Sequence, residues 1–129
     1  TNLENYKVLP EINVHQLIKE SDIICALQSS TAIESAVANK RVVFPLFYDF
    51  LKTPYLNNFS WAKHIELFDI AYDANHFKQL FYEILKEPSV DKEIMHKRIS
   101  LFEQYFDSFD GLALEKYSKV IEDVIEIKK

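Results

Sequence analysis

The alternation of apolar and polar positions divides the chain into short strands and amphipathic helices. Ile23 to Leu27 is a brief apolar run with polar residues on both sides, the pattern of a fully buried strand. Arg41 to Phe44 is a second such run, stopped by Pro45. Between them, Ala32, Ile33, Ala36 and Val37 share one face of a helix of about nine residues. Ser29 or Ser30 can cap its start. Asn39-Lys40 ends it, Asn being the usual substitute for Gly after a helix. Two apolar runs around one amphipathic helix predict adjacent parallel central strands joined through that helix.

Upstream, Val8-Leu9-Pro10 predicts the end of a short strand, and Asn13 caps a helix built on Val14, Leu17 and Ile18 that ends near Glu20-Ser21. Downstream, Leu46 to Trp61 shows no clear period and many aromatic residues: Phe47, Tyr48, Phe50, Tyr55, Phe59 and Trp61. Such a loop either packs over the core or stacks on a ligand. Ile70-Ala71-Tyr72 predicts a third short strand, and Asn75 caps a helix to about Lys86 with Phe77, Leu80, Phe81 and Ile84 inward. After Glu87-Pro88, a helix from Asp91 to Phe106 offers Ile94, Ile99, Leu101, Phe102 and Phe106 for packing. Asp110-Gly111 turns the chain into a last helix, Leu112 to about Ile127, whose Leu114, Tyr117, Ile121, Val124 and Ile125 read as core. Strands alternating with helices predict an α/β fold: a Rossmann-like doubly wound parallel sheet, covered on both faces, with additional C-terminal helices completing the cover.

Composition narrows the function. A chain of 129 residues, 48% apolar, suits one compact domain with a real core. The net charge of -5 argues against a nucleic-acid partner, whose phosphates demand clustered Lys and Arg. The one Cys, Cys25, cannot form a disulfide within the chain, reads as a small buried hydrophobe and suits the cytoplasm. No apolar stretch reaches the roughly 18 residues of a transmembrane segment. His15, His64, His76 and His96 are widely spaced, so no metal site is expected. With one Gly in the chain, a Gly-rich phosphate loop is excluded. The start at Thr1 without Met suggests a piece of a longer protein.

The candidate chemistry lies where the first strand opens into Gln28-Ser29-Ser30-Thr31. Ligands of parallel sheets bind beyond the carboxyl ends of strands, where helices begin. The first turn of a helix there offers free N–H groups and the positive end of the dipole, an arrangement suited to phosphate. Ser29, Ser30 and Thr31 add hydroxyl donors without bulk. Glu34, one turn in, is placed to accept hydrogen bonds from a ribose diol. A plainer explanation stands beside this one: Thr31 and Glu34 have the spacing of a capping box, which needs no ligand. Gln28, Tyr48 and Asp49 lie at the same sheet edge and are candidate contacts to a sugar or base, or simply solvated and packing residues of the loop.

The segment "SDIICALQSSTAIESAVANKRVVFP" resembles the donor-binding domain of GT-B-type glycosyltransferases, with the flavour of bacterial capsule and surface-carbohydrate transferases. Asp22 leads the strand, Ser29-Ser30-Thr31 form the small-residue turn, Glu34 is the acid early in the helix, and Asn39-Lys40-Arg41-Val42 stands where the family shows Gly-Lys-Pro-Val. The later "FDGLALEKYSKVIEDVI" is similar to the final turn and helix of such proteins. Asn39 and Arg41 depart from the family's Gly and Pro, and no His-Pro element precedes Asp22. The resemblance implies donor phosphate on Ser29, Ser30 and Thr31 and the ribose on Glu34. It implies a nucleotide-sugar or CMP-sugar donor as substrate, no cofactor, and polysaccharide biosynthesis in the cytoplasm, reaching the inner-membrane surface only through absent parts. It also implies a missing N-terminal acceptor domain carrying the catalytic base, so that this chain alone is expected to transfer no sugar. The alternative is a non-catalytic Rossmann-like module that binds a protein through its aromatic loop.

Overall fold

The computed structural model describes residues 5–27, 29–47, 50, 54, 61–106 and 110–127. In chain order these residues form α1 (Val14–Glu20), β1 (Ile23–Cys25), α2 (Ser30–Val37), β2 (Arg41–Pro45), a 3₁₀ helix (Ala62–Leu67), β3 (Asp69–Ala71), α3 (Ala74–Lys86), α4 (Lys92–Phe106) and α5 (Ala113–Ile127). Among the described residues the strands make one open parallel sheet in the order β1-β2-β3. The two strands expected to be adjacent and parallel are so, with Ile24 opposite Val42. β2 is the central strand, and β1 lies at an edge rather than at the centre.

The sheet separates two cores because successive strand side chains point to opposite faces. Val42 and Phe44 of β2 point into the larger core, with Ile24, Ile33 and Ala36 and with Leu101 and Phe102 of α4. Val43, between them, points the other way, to Ala71 and Ile84 of α3. All three β2 residues have no exposed surface, as a strand covered on both sides requires. Aromatic contacts stiffen the larger core: Phe44 lies 4.7 Å from Phe68, and Trp61 meets Phe102 edge-on at 5.7 Å. Trp61 is therefore a packing residue, as is Phe47, which meets Phe77 edge-on at 5.8 Å. Tyr55 and Phe59 of the same loop lie outside the described residues.

Local signals placed most helix ends. Asn13 caps α1 by accepting from the His15 and Gln16 N–H groups. Asn39 takes the left-handed conformation, φ 56°, that ends α2. Lys40, next along, points its ammonium at the carbonyls of Lys19 and Ser21, both at 2.9 Å, neutralising the negative end of α1.

Five expectations are corrected. Val8-Leu9-Pro10 is not strand but exposed irregular chain, since no strand among the described residues lies beside it to complete a ladder. β1 stops at Cys25, two residues early, and only Ile24 is buried, because an edge strand is covered less than a central one. Cys25 is exposed rather than core, although partial desolvation of its sulfur still pushes the thiol pKa up, away from reactivity. α3 is capped by Asp73, which accepts from the N–H groups of Asn75 and His76 at 2.8 Å, so Asn75 is already inside the helix. α5 buries none of its residues, and Leu114, Tyr117, Ile121, Val124 and Ile125 are all exposed. Of the two last helices, only α4 covers the sheet.

Arg98 holds α4 in place. It is 2% exposed, the largest fully buried side chain among the described residues. Nε and Nη2 donate to the Leu67 carbonyl at 2.9 and 2.7 Å, and Nη1 donates to the Lys40 carbonyl at 2.9 Å. Its guanidinium lies 5.5 Å from the Phe68 ring centroid. Burial pushes its pKa down to about 10, with Asp69 opposing that shift and Arg41 adding to it, and the group remains charged at neutral pH. Next to it, Arg41 donates from Nε and Nη2 to the two Asp69 oxygens at 2.8 and 2.6 Å, and from Nη1 to the carbonyls of Glu87 and Ser89. The Asp69 hydrogen bond raises the Arg41 pKa. Arg98→Met keeps most of the stem but strands the buried Leu67 carbonyl and the part-buried Lys40 carbonyl, a buried one costing about 1–3 kcal/mol. We expect a loss of about 2–4 kcal/mol in urea unfolding, whereas Lys97→Met, on the exposed side of the same turn, should change stability by less than about 0.5 kcal/mol.

Candidate functional site

The candidate site sits at the carboxyl edge of the sheet, at the start of α2. After Cys25, the Ala26 N–H still bonds the Val43 carbonyl at 3.2 Å, so the sheet hydrogen bonding reaches the turn itself. Ser29 then takes extended geometry, φ -140° and ψ 146°, and its side chain accepts from the Thr31 N–H at 3.3 Å. The Ala32 N–H goes to the Ser29 carbonyl at 3.1 Å. Ser29 and Ser30 are exposed and Thr31 is half-buried. The structure therefore brings Ser29, Ser30 and Thr31 together at an open helix start. Gln28, Tyr48 and Asp49, expected at the same edge, lie outside the described residues.

Two signals settle the capping question. The cap is Ser29, so the third helical position is Ala32 and no carboxylate occupies it. Glu34 instead reaches across to α1, where its Oε2 lies 3.3 Å from His15 Nε2. The pair is ionic only when the imidazole is protonated, and with side-chain exposures of 79% for His15 and 39% for Glu34 it adds little to stability. Glu34 therefore remains accessible.

Sequence reasoning passed over His15 as one scattered histidine among four. Its partner could not be read from spacing, because the pairing depends on how α1 and α2 lie together. The start of α1 meets the second turn of α2 through His15 and Glu34, and the end of α1 meets Lys40, just past α2, through the Lys19 and Ser21 carbonyls. The two helices thus run side by side in the same direction. α2 is anchored beneath the site by Ala32, Ile33 and Ala36, which are buried, and by Ser35, also buried, whose hydroxyl donates to the Thr31 carbonyl at 2.6 Å. That bond satisfies the only polar side chain on the helix's inner face.

The carboxyl end of β3 carries a second polar group. Asp73 caps α3 there, and Tyr72 stacks on His76 with ring centroids 5.3 Å apart and planes 13° apart. The Tyr72 N–H donates to His76 Nδ1 at 3.3 Å. At the opposite, amino ends of β2 and β3, a cavity of about 140 Å³ lies beside Arg41, Phe68, Asp69, Ile94 and Arg98. Arg41 and Asp69 pair with each other, Arg98 is held by backbone carbonyls, Asp91 accepts from the Glu93 and Ile94 N–H groups, and Glu66 also lines the cavity. Among the described residues no group of three or more His, Cys, Asp or Glu side chains is arranged to hold a metal ion, and no helix is long and apolar enough to cross a membrane.

No protein-family model matches the chain, and no curated protein or solved structure matches it either.

The assignment of the cap is directly testable. Ser29→Ala should cost about 1 kcal/mol in urea unfolding. Thr31→Ala, which removes a hydroxyl with no capping role, should cost less than about 0.5 kcal/mol. The reverse ranking would return the cap to Thr31 and restore the capping-box explanation of Glu34.

Proposed function

We propose that this chain is the donor-binding half of a GT-B-like glycosyltransferase, a Rossmann-like domain that holds a nucleotide-sugar for surface-polysaccharide synthesis. The observation that carries the reading is the open start of α2 at the carboxyl end of β1, with three hydroxyl residues at the first turn and the accessible Glu34 one turn further in. Donor phosphate would lie against the first-turn N–H groups and the hydroxyls of Ser29, Ser30 and Thr31, where the helix dipole favours negative charge. The ribose diol would donate to Glu34 in place of His15. The acceptor and the base that deprotonates it would come from another domain, and such two-sided clefts are common places for transfer chemistry.

The rival reading, a non-catalytic interaction module, draws support from a different observation: α5 leaves its apolar residues exposed. The two readings separate on nucleotide binding. UDP and CMP, titrated against thermal unfolding, should stabilise the chain, by about 2.7 kcal/mol at a hundred times the dissociation constant. No shift with either nucleotide at any concentration would remove the donor-binding reading and leave the module.

Glu34 supplies the residue-level test. Losing a charged hydrogen-bond partner of the diol should cost about 1.5–3 kcal/mol of affinity. Glu34→Ala should therefore weaken nucleotide binding at least about tenfold while moving the unfolding free energy by less than about 1 kcal/mol, the value of an exposed ion pair. His15→Ala breaks the same ion pair but leaves the carboxylate, so it should bind nucleotide as well as the parent or better. Equal weakening by both variants would mean that the pair, not the acid, supports the site.

A further inference from the structure

The carboxyl edge of the sheet holds a feature that the phosphate and ribose contacts do not use. Tyr72, just past β3, is 53% exposed, yet its ring is fixed. It stacks on His76 with centroids 5.3 Å apart and planes 13° apart, and its own N–H donates to His76 Nδ1 at 3.3 Å. The His76 backbone N–H is held in turn by the Asp73 cap at 2.8 Å. The stack occupies one face of the Tyr72 ring, and the exposure leaves the other open. A surface aromatic ordered in advance lowers the entropy cost of binding against it. The strand register places this ring relative to the start of α2. Cys25 is level with Val43, and Val43 with Asp69. Tyr72, three residues past Asp69, is therefore close to level with Ser29, four residues past Cys25. Two strand spacings separate β1 from β3, about 10 Å. The helices that leave this edge go to opposite faces: α2 packs on the larger core through Ile33 and Ala36, and α3 on the smaller one through Ile84. Divergence of this kind opens the crevice in which parallel sheets bind ligands.

We propose that Tyr72, held by His76, is the platform on which the sugar of the donor stacks, a pyranose ring with a face of C–H bonds. The assignment rests on the donor-binding reading above and fills the side of the site which that reading leaves open. Its direction follows from the neighbours of α2. α1 flanks α2 on one side and α4 on the other, and α4 also packs on the 3₁₀ helix that leads into β3. α1 is thus on the side away from β3, and Glu34 faces α1. With the ribose on Glu34 and the phosphates at the α2 start, the nucleoside takes the α1 side. The group beyond the phosphates then runs the other way, across the end of β2 toward Tyr72. The chemistry of the ring suits that group. The C–H bonds of a pyranose are polarised by the neighbouring oxygens and carry partial positive charge, whereas the face of an aromatic ring is negative.

The test compares bare nucleotides with nucleotide-sugars on the whole chain. UDP, UDP-glucose, UDP-N-acetylglucosamine, CMP and CMP-N-acetylneuraminate are titrated by calorimetry against the parent, Tyr72→Phe and Tyr72→Ala. Tyr72→Ala should raise the dissociation constant of the nucleotide-sugar that binds by about two- to tenfold, the worth of one aromatic contact, and leave that of the bare nucleotide unchanged. Tyr72→Phe keeps the ring and should bind both as the parent does. In the bound state, the sugar C–H protons should shift upfield in NMR spectra with the parent and Tyr72→Phe, and not with Tyr72→Ala. Four outcomes would overturn the platform while leaving the donor-binding reading in place: a nucleotide-sugar indifferent to Tyr72→Ala, an equal loss for nucleotide and nucleotide-sugar, a Tyr72→Phe chain as weak as Tyr72→Ala, or a parent that binds a bare nucleotide and none of the nucleotide-sugars. Absence of binding by every compound would instead overturn that reading, and the platform with it.

Discussion

The sheet domain depends on one buried cation that is satisfied without a directly bonded carboxylate. Arg98 reaches through the base of α4 and divides its hydrogen bonds between two backbone carbonyls, those of Leu67 and Lys40. Those carbonyls lie just before β3 and β2, where the backbone is not yet paired in the ladder and still needs partners. A single planar fork therefore closes two strand entrances and docks a helix at once, which a lysine's point charge could not do. The charge remains affordable because Phe68 faces it and the Arg41–Asp69 pair supplies a neutral boundary beside it. Remove the fork and the larger core loses its lid, since Leu101 and Phe102 follow Arg98 on the same helix.

Around that anchor, the segment from Asn39 to Arg41 performs three structural tasks in succession. Asn39 turns the chain out of α2 in the left-handed conformation, Lys40 caps α1, and Arg41 pins β3 and the chain after α3 to β2. A glycine in place of Asn39 would supply the turn, but only the Arg41 side chain supplies the pair with Asp69. Asn39 and Arg41 are thus accounted for by contacts within this chain, at the end of the sheet opposite its carboxyl edge.

What was legible in the sequence followed from local physics. Short apolar runs bounded by polar residues predicted β1, β2 and β3, and cap residues placed α1 and α2 to within a residue or so. What was not legible depended on distance in the chain. Arg98 reads as one charge among many on a polar helix, because its partners lie 31 and 58 residues away. The depth of β1 was overestimated because apolarity cannot show whether a strand has one neighbour or two. The stripe on α5 is genuine amphipathicity, yet periodicity reports only that a face seeks cover and not whether this chain supplies it. The candidate site was legible in its hydroxyl residues, whereas the Glu34 partner, His15, was visible only once α1 and α2 were seen side by side.

Capping and anion binding at a helix start are often treated as alternatives, but under the proposed function they would be two states of the same groups at α2. A serine N-cap contributes about 1 kcal/mol through one neutral hydrogen bond. A phosphate oxygen offers the same N–H groups a charged acceptor, worth about 1.5–3 kcal/mol for each bond, together with the favourable end of the dipole. The stronger acceptor would displace the weaker one at small cost, and the Ser29 hydroxyl, once released, would become a donor to the anion. The long 3.3 Å bond from Thr31 to Ser29 is the weak end of that exchange. Glu34 repeats the arrangement one turn away: His15 holds it loosely through an exposed contact that a diol with two donors can replace. On the proposed reading, such an edge would keep its helix capped while empty and yield its donors and its acceptor to a ligand that carries both a phosphate and a ribose.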